Sequence, residues 1–137
     1  MRAPGLERLL FASGNRGKYV EVIDLFAPLG VDILYGPDIV VLDVEETGSS
    51  YGSNAFLKAK AYAAASGMPA LADDSGMEVR ALNWEPGIFS ARVAPTDGER
   101  IETILGRMRG VADRYARYVA AFALYFPSGS CIVTEGV

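Results

Sequence analysis

The sequence predicts an α/β fold in which a mixed β-sheet is flanked by helices. Strand-like and helix-like segments alternate as far as about residue 108, which is typical of α/β proteins. A long alternating segment, residues 115–126, is then followed by a Pro-Ser-Gly-Ser turn and a further apolar run, which predicts an antiparallel hairpin. The length of 137 residues fits one domain, residues 1–137.

The first half of the chain is predicted to contain two strands, an extended run and two helices. Residues 6–12 form a short apolar strand that ends in a polar, glycine-containing turn, residues 13–18. Val22, Ile23, Phe26 and Leu29 recur at helical spacing, and Gly30 marks the end of that helix. A second strand is expected at residues 31–35 and an extended run at residues 39–44. The alanine-rich segment 53–66 predicts a helix that stops at Gly67.

The second half begins with a short buried strand, residues 69–72, that delivers an Asp-Asp-Ser-Gly sequence at its carboxyl end. A further strand is expected at residues 77–82, followed by a turn at residues 85–87. Apolar residues between 101 and 108 recur at helical spacing, with Thr96 or Asp97 as the N-cap. The hairpin returns along residues 131–134.

Composition excludes several classes of function. The content of 50% hydrophobic and 22% charged residues is that of a soluble globular protein. The absence of histidine rules out Ser-His-Asp catalysis and histidine zinc sites, and the single Cys131 cannot form an internal disulfide. The net charge of −4 argues against a broad nucleic-acid-binding face. Since residues 1–5 show no signal-peptide core and no apolar run could span a membrane, we expect a cytoplasmic protein without a membrane partner.

The turn after the first strand is a candidate phosphate-binding loop. A strand-to-helix turn presents backbone N–H groups and the positive end of the helix dipole, and Lys18 adds a charge. A loop with an exposed lysine explains the same pattern equally well. The candidate residues are Ser13, Gly14, Asn15, Arg16, Gly17 and Lys18.

Acidic residues form a second candidate site. Asp74 lies at the carboxyl end of the presumed central strand, where ligands bind in open α/β sheets. An ordinary Asx turn is the structural alternative for that segment. Alternation along the acidic run would turn either Glu45 or Glu46 toward Asp74, which would complete an oxygen-ligand site for Mg²⁺. Solvated loop carboxylates are the alternative. Three basic residues are predicted to be either surface charges or cations of the site, namely Lys58, Lys60 and Arg92.

The ordered combination of these segments resembles the Ham1 family of inosine/xanthosine triphosphate pyrophosphatases, along essentially the whole chain from Leu9 to Gly136. The resemblance rests on five motifs, namely Ser-Gly-Asn-x-x-Lys-x-x-Glu from Ser13, Glu-Glu-Thr-Gly from Glu45, Asn-Ala-x-x-Lys-Ala from Asn54, Ala-Asp-Asp-Ser-Gly from Ala72, and Pro-Gly-Ile-Phe-Ser-Ala-Arg from Pro86.

The resemblance implies Mg²⁺-dependent hydrolysis of ITP, dITP or XTP to the monophosphate and pyrophosphate, and commonly a homodimer. It implies that Asp74 is the general base and a metal ligand and that Glu46 is the second metal ligand. The residues from Ser13 to Lys18 would bind the triphosphate, and Lys58, Ser75 and Arg92 would contact the nucleotide.

The sequence departs from the family at its end. Family members continue past the Glu135-Gly136 position into Gly-Phe-Gly-Tyr-Asp-Pro and Ser-His-Arg segments that recognise the base, and neither motif is present. Three explanations fit: a shortened form of a normal enzyme, a paralogue with relaxed base selectivity, or a non-catalytic module that binds nucleotides or polyphosphates.

Overall fold

A computed structural model describes residues 5–137. The predicted absence of a signal-peptide core concerns residues 1–5, of which only Gly5 lies in the described range. The longest helix has 16 residues, and none of the helices in the described range is long and apolar enough to cross a membrane. The elements are β1 Arg8–Phe11, α1 Arg16–Phe26, β2 Asp32–Tyr35, α2 Gly36–Ile39, α3 Tyr51–Ser66, β3 Ala70–Val79, β4 Glu85–Pro86, α4 Asp97–Arg107, β5 Ala116–Tyr125 and β6 Cys131–Gly136.

The six strands form one mixed sheet, which confirms the predicted fold class. The strand order is β2-β1-β3-β5-β6, and the short β4 pairs with β3. β1 runs parallel to both β2 and β3, whereas β5 and β6 are antiparallel to their neighbours. The predicted terminal hairpin is therefore present and extends to Gly136.

The two faces of the sheet are covered by different helices. Ala121 and Ala123 of β5 are fully buried in clusters that include residues of α3. Phe122, which lies between them, packs in a cluster with Val22 of α1. Because side chains alternate between the faces of a strand, each β3 residue can be assigned to the α1 face or the α3 face from its β5 partner.

Local signals explain where α3 begins and ends. Ser50 is the N-cap, and a reciprocal capping box joins its side chain to Ser53. Gly67 closes the helix with a φ of 70°, a left-handed conformation that glycine adopts without steric strain. The predicted alanine-rich helix is thus correct, with a start two residues earlier than the pattern indicates.

The main difference from the prediction is that β3 is one continuous strand of ten residues. The predicted interruption at residues 73–76 is wrong, and so is the Asx-turn alternative. Asp73 to Gly76 pair residue by residue with β5, because the long partner strand overrides the weak strand preference of Asp, Ser and Gly. Asp73 and the candidate site residue Asp74 therefore lie in the middle of a strand.

The segment after β2 also differs from the expected extended run. Residues 36–39 form a single helical turn, and residues 40–48 join no strand of the sheet. Val40 and Val44 pack against the core beside α3, which explains the apolar pattern.

Candidate active site

One edge of β3 is open where the acidic residues lie. β1 pairs with β3 only at Ala70 and Leu71, and β4 pairs with it only at Glu78 and Val79. Between these points, the described part of the chain places no strand against that edge. The predicted phosphate loop begins directly after β1 and therefore lies at one end of this opening.

The loop of residues 13–18 is held by its own hydrogen bonds. Ser13 Oγ accepts from the backbone N–H of Asn15 at 3.2 Å, and Asn15 Oδ1 caps α1 by accepting from the N–H of Lys18 at 3.1 Å. Through these two oxygens the side chains shape the loop and fix the start of α1, while the Ser13 hydroxyl and the Asn15 amide keep their own O–H and N–H donors.

Lys18 lies on the α1 face of β3. Its Nζ donates to Asp73 Oδ2 at 2.7 Å and lies 3.5 Å from Ser75 Oγ. Burial alone would lower the pKa of Lys18, but the Asp73 carboxylate, with smaller contributions from Tyr118 and Asp74, raises it. Lys18 is therefore a fixed positive charge at the base of the opening.

Two further groups complete this cluster on the α1 face. The hydroxyl of Tyr118 lies 3.0 Å from Ser75 Oγ. Asp73 is almost fully buried, and its second carboxylate oxygen, Oδ1, has no hydrogen-bond partner among the described residues. A small cavity of about 190 Å³ is lined by all four side chains, Lys18, Asp73, Ser75 and Tyr118.

Asp74 projects to the opposite, α3 face. Its Oδ2 accepts from Asn54 Nδ2 at 3.1 Å, and its Oδ1 accepts from the N–H of Ser75 at 3.0 Å. Burial raises the pKa of Asp74; nearby Glu46 adds to this, whereas the Asn54 hydrogen bond and Lys58 oppose it. Asp74 is therefore a carboxylate whose proton affinity is increased by its surroundings.

Asn54 joins Asp74 to the acidic loop. Its Oδ1 accepts from the N–H of Gly48 at 2.8 Å, while its amide nitrogen holds Asp74. Gly48 leaves no room for a side chain, since a Cβ there would lie 2.2 Å from Ser53 Oγ and 2.7 Å from Asn54 Oδ1. The acidic loop is thereby held against the start of α3.

Two cations hold Glu46. Lys58 Nζ lies 3.0 Å from Glu46 Oε1, and Arg92 Nη2 donates to the main-chain oxygen of Glu46 at 2.9 Å. Glu46 is half-buried while Glu45 is exposed, as the alternation predicts for one of the two acids. A shallow surface depression of about 490 Å³ is lined by residues 44–47 and Arg92.

The predicted site residues are divided between the two faces of β3. The direct partner of Lys18 is Asp73 on the α1 face, whereas Asp74 lies on the α3 face. Arg16 turns away, with its guanidinium 3.5 Å from Asp38 and 4.3 Å from the centre of the Tyr35 ring. A larger surface depression of about 570 Å³ lies on α4 and contains none of the predicted residues.

The residues present suit Mg²⁺ only in part. No group of three or more Asp, Glu, His or Cys side chains in residues 5–137 is placed to hold a metal ion alone. Glu46 and Asp74 nevertheless interact electrostatically, and an ammonium group already lies against Glu46. Because Mg²⁺ is commonly held by one or two carboxylates together with substrate phosphates, this pair fits the ion as half of a site.

Sequence reasoning missed three residues of the site. Asp73 was treated as a loop residue, although alternation from Asp74 places it on the opposite face of a strand. Asn54 is part of one of the five motifs, and a polar amide within an alanine-rich helix is the signal that could have indicated its role as a buried hydrogen-bonding group. Tyr118 gave no local signal, because only the β3–β5 register brings it to Ser75.

Comparison with known proteins identifies the family. The sequence pattern of the Ham1 family matches residues 9–137. The chain belongs to the Ham1 family. Its relatives include the dITP/XTP pyrophosphatase of Parasynechococcus marenigrum, 45% identical over 128 residues, which are 93% of this chain and 65% of that protein. A dITP/XTP pyrophosphatase of Thermus thermophilus is 44% identical over 133 residues, covering 94% and 64%. This Ham1-family chain thus spans slightly less than two thirds of the length of these curated relatives.

Solved Ham1 structures share the fold. The Staphylococcus aureus Ham1 protein superposes with a TM-score of 0.82 at 36% identity, covering 95% of this chain and 69% of that one. A HAM1 protein from Coxiella burnetii gives a TM-score of 0.84 at 35% identity, covering 96% and 70%. The sheet and its flanking helices are therefore those of the Ham1 family.

Proposed function

We propose that this chain carries the catalytic site of a Mg²⁺-dependent hydrolase that converts ITP, dITP and XTP to the nucleoside monophosphate and pyrophosphate, removing non-canonical nucleotides from the pool. The similarity to relatives named dITP/XTP pyrophosphatases supports this activity over the non-catalytic binding module. One observation carries the proposal: Lys18 lies on one side of the open stretch of β3, and Glu46 and Asp74 lie on the other.

In this proposal the phosphate chain crosses the open edge of β3. Lys18 and the N-terminus of α1 bind the phosphates that leave as pyrophosphate, and they offset the negative charge that develops there. Ser75 lies within reach of Lys18 and adds a hydroxyl to the same region. Lys58 and Arg92 approach the phosphates from the α3 face.

Asp74 acts as the general base. Its raised pKa makes it a better proton acceptor than an ordinary aspartate, and Asn54 fixes the orientation of its carboxylate. Asp74 takes a proton from the attacking water, which adds to the α-phosphorus as the bond to the bridging oxygen breaks. Glu46 and Asp74 would hold Mg²⁺, which neutralises phosphate oxygens and makes bound water more acidic.

Three further properties stay predictions: a single ITPase-like domain over residues 1–137, a homodimer, and a cytoplasmic location.

The experiment is product analysis with the purified chain. Incubation with dITP, XTP, ITP or ATP, with and without Mg²⁺, is expected to release monophosphate and pyrophosphate from the first three nucleotides only when Mg²⁺ is present. Asp74→Asn should abolish release, whereas the matched control Asp113→Asn, which removes an exposed carboxylate paired with Arg80, should retain it. Release of orthophosphate, or full activity of Asp74→Asn, would contradict the proposal. Calorimetric binding of ITP without any turnover would indicate the non-catalytic module.

A further inference from the structure

Lys58 is the immediate counter-ion of the acidic pair. Its Nζ lies 3.0 Å from Glu46 Oε1, and only 14% of its side chain is exposed. It follows Asn54 by one helical turn, so both side chains lie on the same face of α3. Its ammonium group therefore offsets carboxylate charge at a largely buried position.

The same ammonium also acts on Asp74. Lys58 favours the charged form of Asp74, whereas burial and Glu46 disfavour it. The two carboxylates therefore share the charge of Lys58, with Arg92 more distant at 4.0 Å from Glu46 Oε2. A divalent cation entering between the carboxylates would meet Lys58 as a like charge, at a partly buried position where salt screens little.

We propose that Lys58 is an exchangeable counter-cation: it holds Glu46 when no Mg²⁺ is bound, opposes the binding of Mg²⁺ alone, and moves to the nucleotide phosphates when these arrive with the metal. The inference rests on the proposed function, because it assigns Mg²⁺ to Glu46 and Asp74. Its consequence is that this chain takes up the metal tightly only together with nucleotide.

The neighbouring Lys60 provides a matched control. It lies two residues further along α3, is exposed, and has its Nζ 5.8 Å from the centre of the Phe56 ring. Lys60→Met lowers the net charge by one, as Lys58→Met does, without removing a contact of the acidic pair.

The test is binding of Mn²⁺ in the absence of nucleotide, followed by electron paramagnetic resonance. Lys58→Met removes a cation beside a partly buried divalent site, so this variant should bind Mn²⁺ more tightly than the original chain by roughly tenfold or more. Lys60→Met should stay within about twofold of the original chain, because exposed charges are well screened. Lys58→Arg, which keeps the charge, should also bind Mn²⁺ weakly.

Each other result overturns the inference. Unchanged or weaker Mn²⁺ binding by Lys58→Met contradicts it, as does a gain in Lys58→Arg equal to that in Lys58→Met. If Lys58→Met is unfolded without metal, Mn²⁺ should restore its folded state, and failure to do so contradicts the inference.

The inference and the proposed function fail separately. Turnover of dITP by the original chain without a gain in Mn²⁺ affinity for Lys58→Met removes only the inference. A gain in affinity without turnover of dITP keeps the cation exchange and removes the proposed activity.

Discussion

Replacing Asn54 by leucine tests whether the site is held together through one buried amide. Asn54 is 1% exposed and makes two hydrogen bonds, to the N–H of Gly48 and to Asp74. Leucine is nearly the same size and shape, so the substitution removes both bonds without leaving a cavity. The change in unfolding free energy then reports on the hydrogen bonds rather than on packing.

The expected loss follows from the two bonds. The neutral bond to Gly48 contributes about 0.5–1.5 kcal/mol, and the bond to the Asp74 carboxylate about 1.5–3 kcal/mol. We therefore expect Asn54→Leu to lower the unfolding free energy by about 2–4.5 kcal/mol. The pKa of Asp74 should also rise further, because the Asn54 hydrogen bond is the main group that lowers it.

Urea denaturation followed by circular dichroism measures the loss. Lys60→Leu, on the exposed side of the same helix, should change the unfolding free energy by no more than about 0.5 kcal/mol. A loss below about 1 kcal/mol in Asn54→Leu, with an unchanged Asp74 pKa, would refute the assignment, since one charged hydrogen bond alone exceeds that value.

Three more predictions follow from the strand that carries the acids. Gly76→Ala should lower the unfolding free energy by about 1–3 kcal/mol or more, because its Cβ would lie 2.1 Å from the main-chain oxygen of Gly87. In metal-free buffer, the unfolding free energy of wild type should increase relative to that of Asp74→Asn as the pH falls through the raised pKa of Asp74. The reason is that the native carboxyl binds its proton more tightly than the unfolded one, so the increase ends below 3.8, the ordinary pKa of the group. Lys18→Met should lower the unfolding free energy by about 2–4 kcal/mol, which is less than for a fully buried pair because a third of the Lys18 side chain is exposed. Adding Asp73→Asn to this variant should restore most of the lost stability, since it removes the unpaired charge.

Urea titrations check all three, and each has a contrary result. Gly98→Ala, where a Cβ meets open space, should be tolerated, and an equal loss there would remove the steric explanation for Gly76. A constant stability difference between wild type and Asp74→Asn from neutral pH to below 3.8 would contradict the raised pKa of Asp74. A double variant Lys18→Met/Asp73→Asn no more stable than Lys18→Met would show that the unpaired Asp73 charge is not the cause.

Local sequence signals predict the parts of this fold that depend on neighbouring residues. The capped alanine-rich helix, the strand before the phosphate loop and the terminal hairpin are all recognisable, because caps, turns and periodicity act over a few residues. The continuity of β3 is not recognisable. Asp73 to Gly76 favour a turn by themselves, and only their pairing with residues 119–122 keeps them extended.

The same reason separates the predictable from the unpredictable site residues. Lys18, Glu46 and Asp74 are identified by motif and residue type, but their partners are set by the faces of the sheet. In the predicted turn, the side chains of Asp73 and Asp74 could converge on one cation. In the observed strand they point to opposite faces, so Asp73 alone pairs with Lys18.

The alternation along β3 also explains why two adjacent aspartates cannot replace one another. Asp73 is paired with Lys18 from α1, whereas Asp74 shares Lys58 of α3 with Glu46. The two aspartates thus depend on different lysines, which are delivered by different helices on different faces of the sheet. Under the proposed function, a phosphate chain that crosses the open edge of β3 would compete with the carboxylates for both lysines. On the α3 face two acids would then lose their shared counter-ion, against one acid on the α1 face, so the α3 face is where the proposal requires a metal cation.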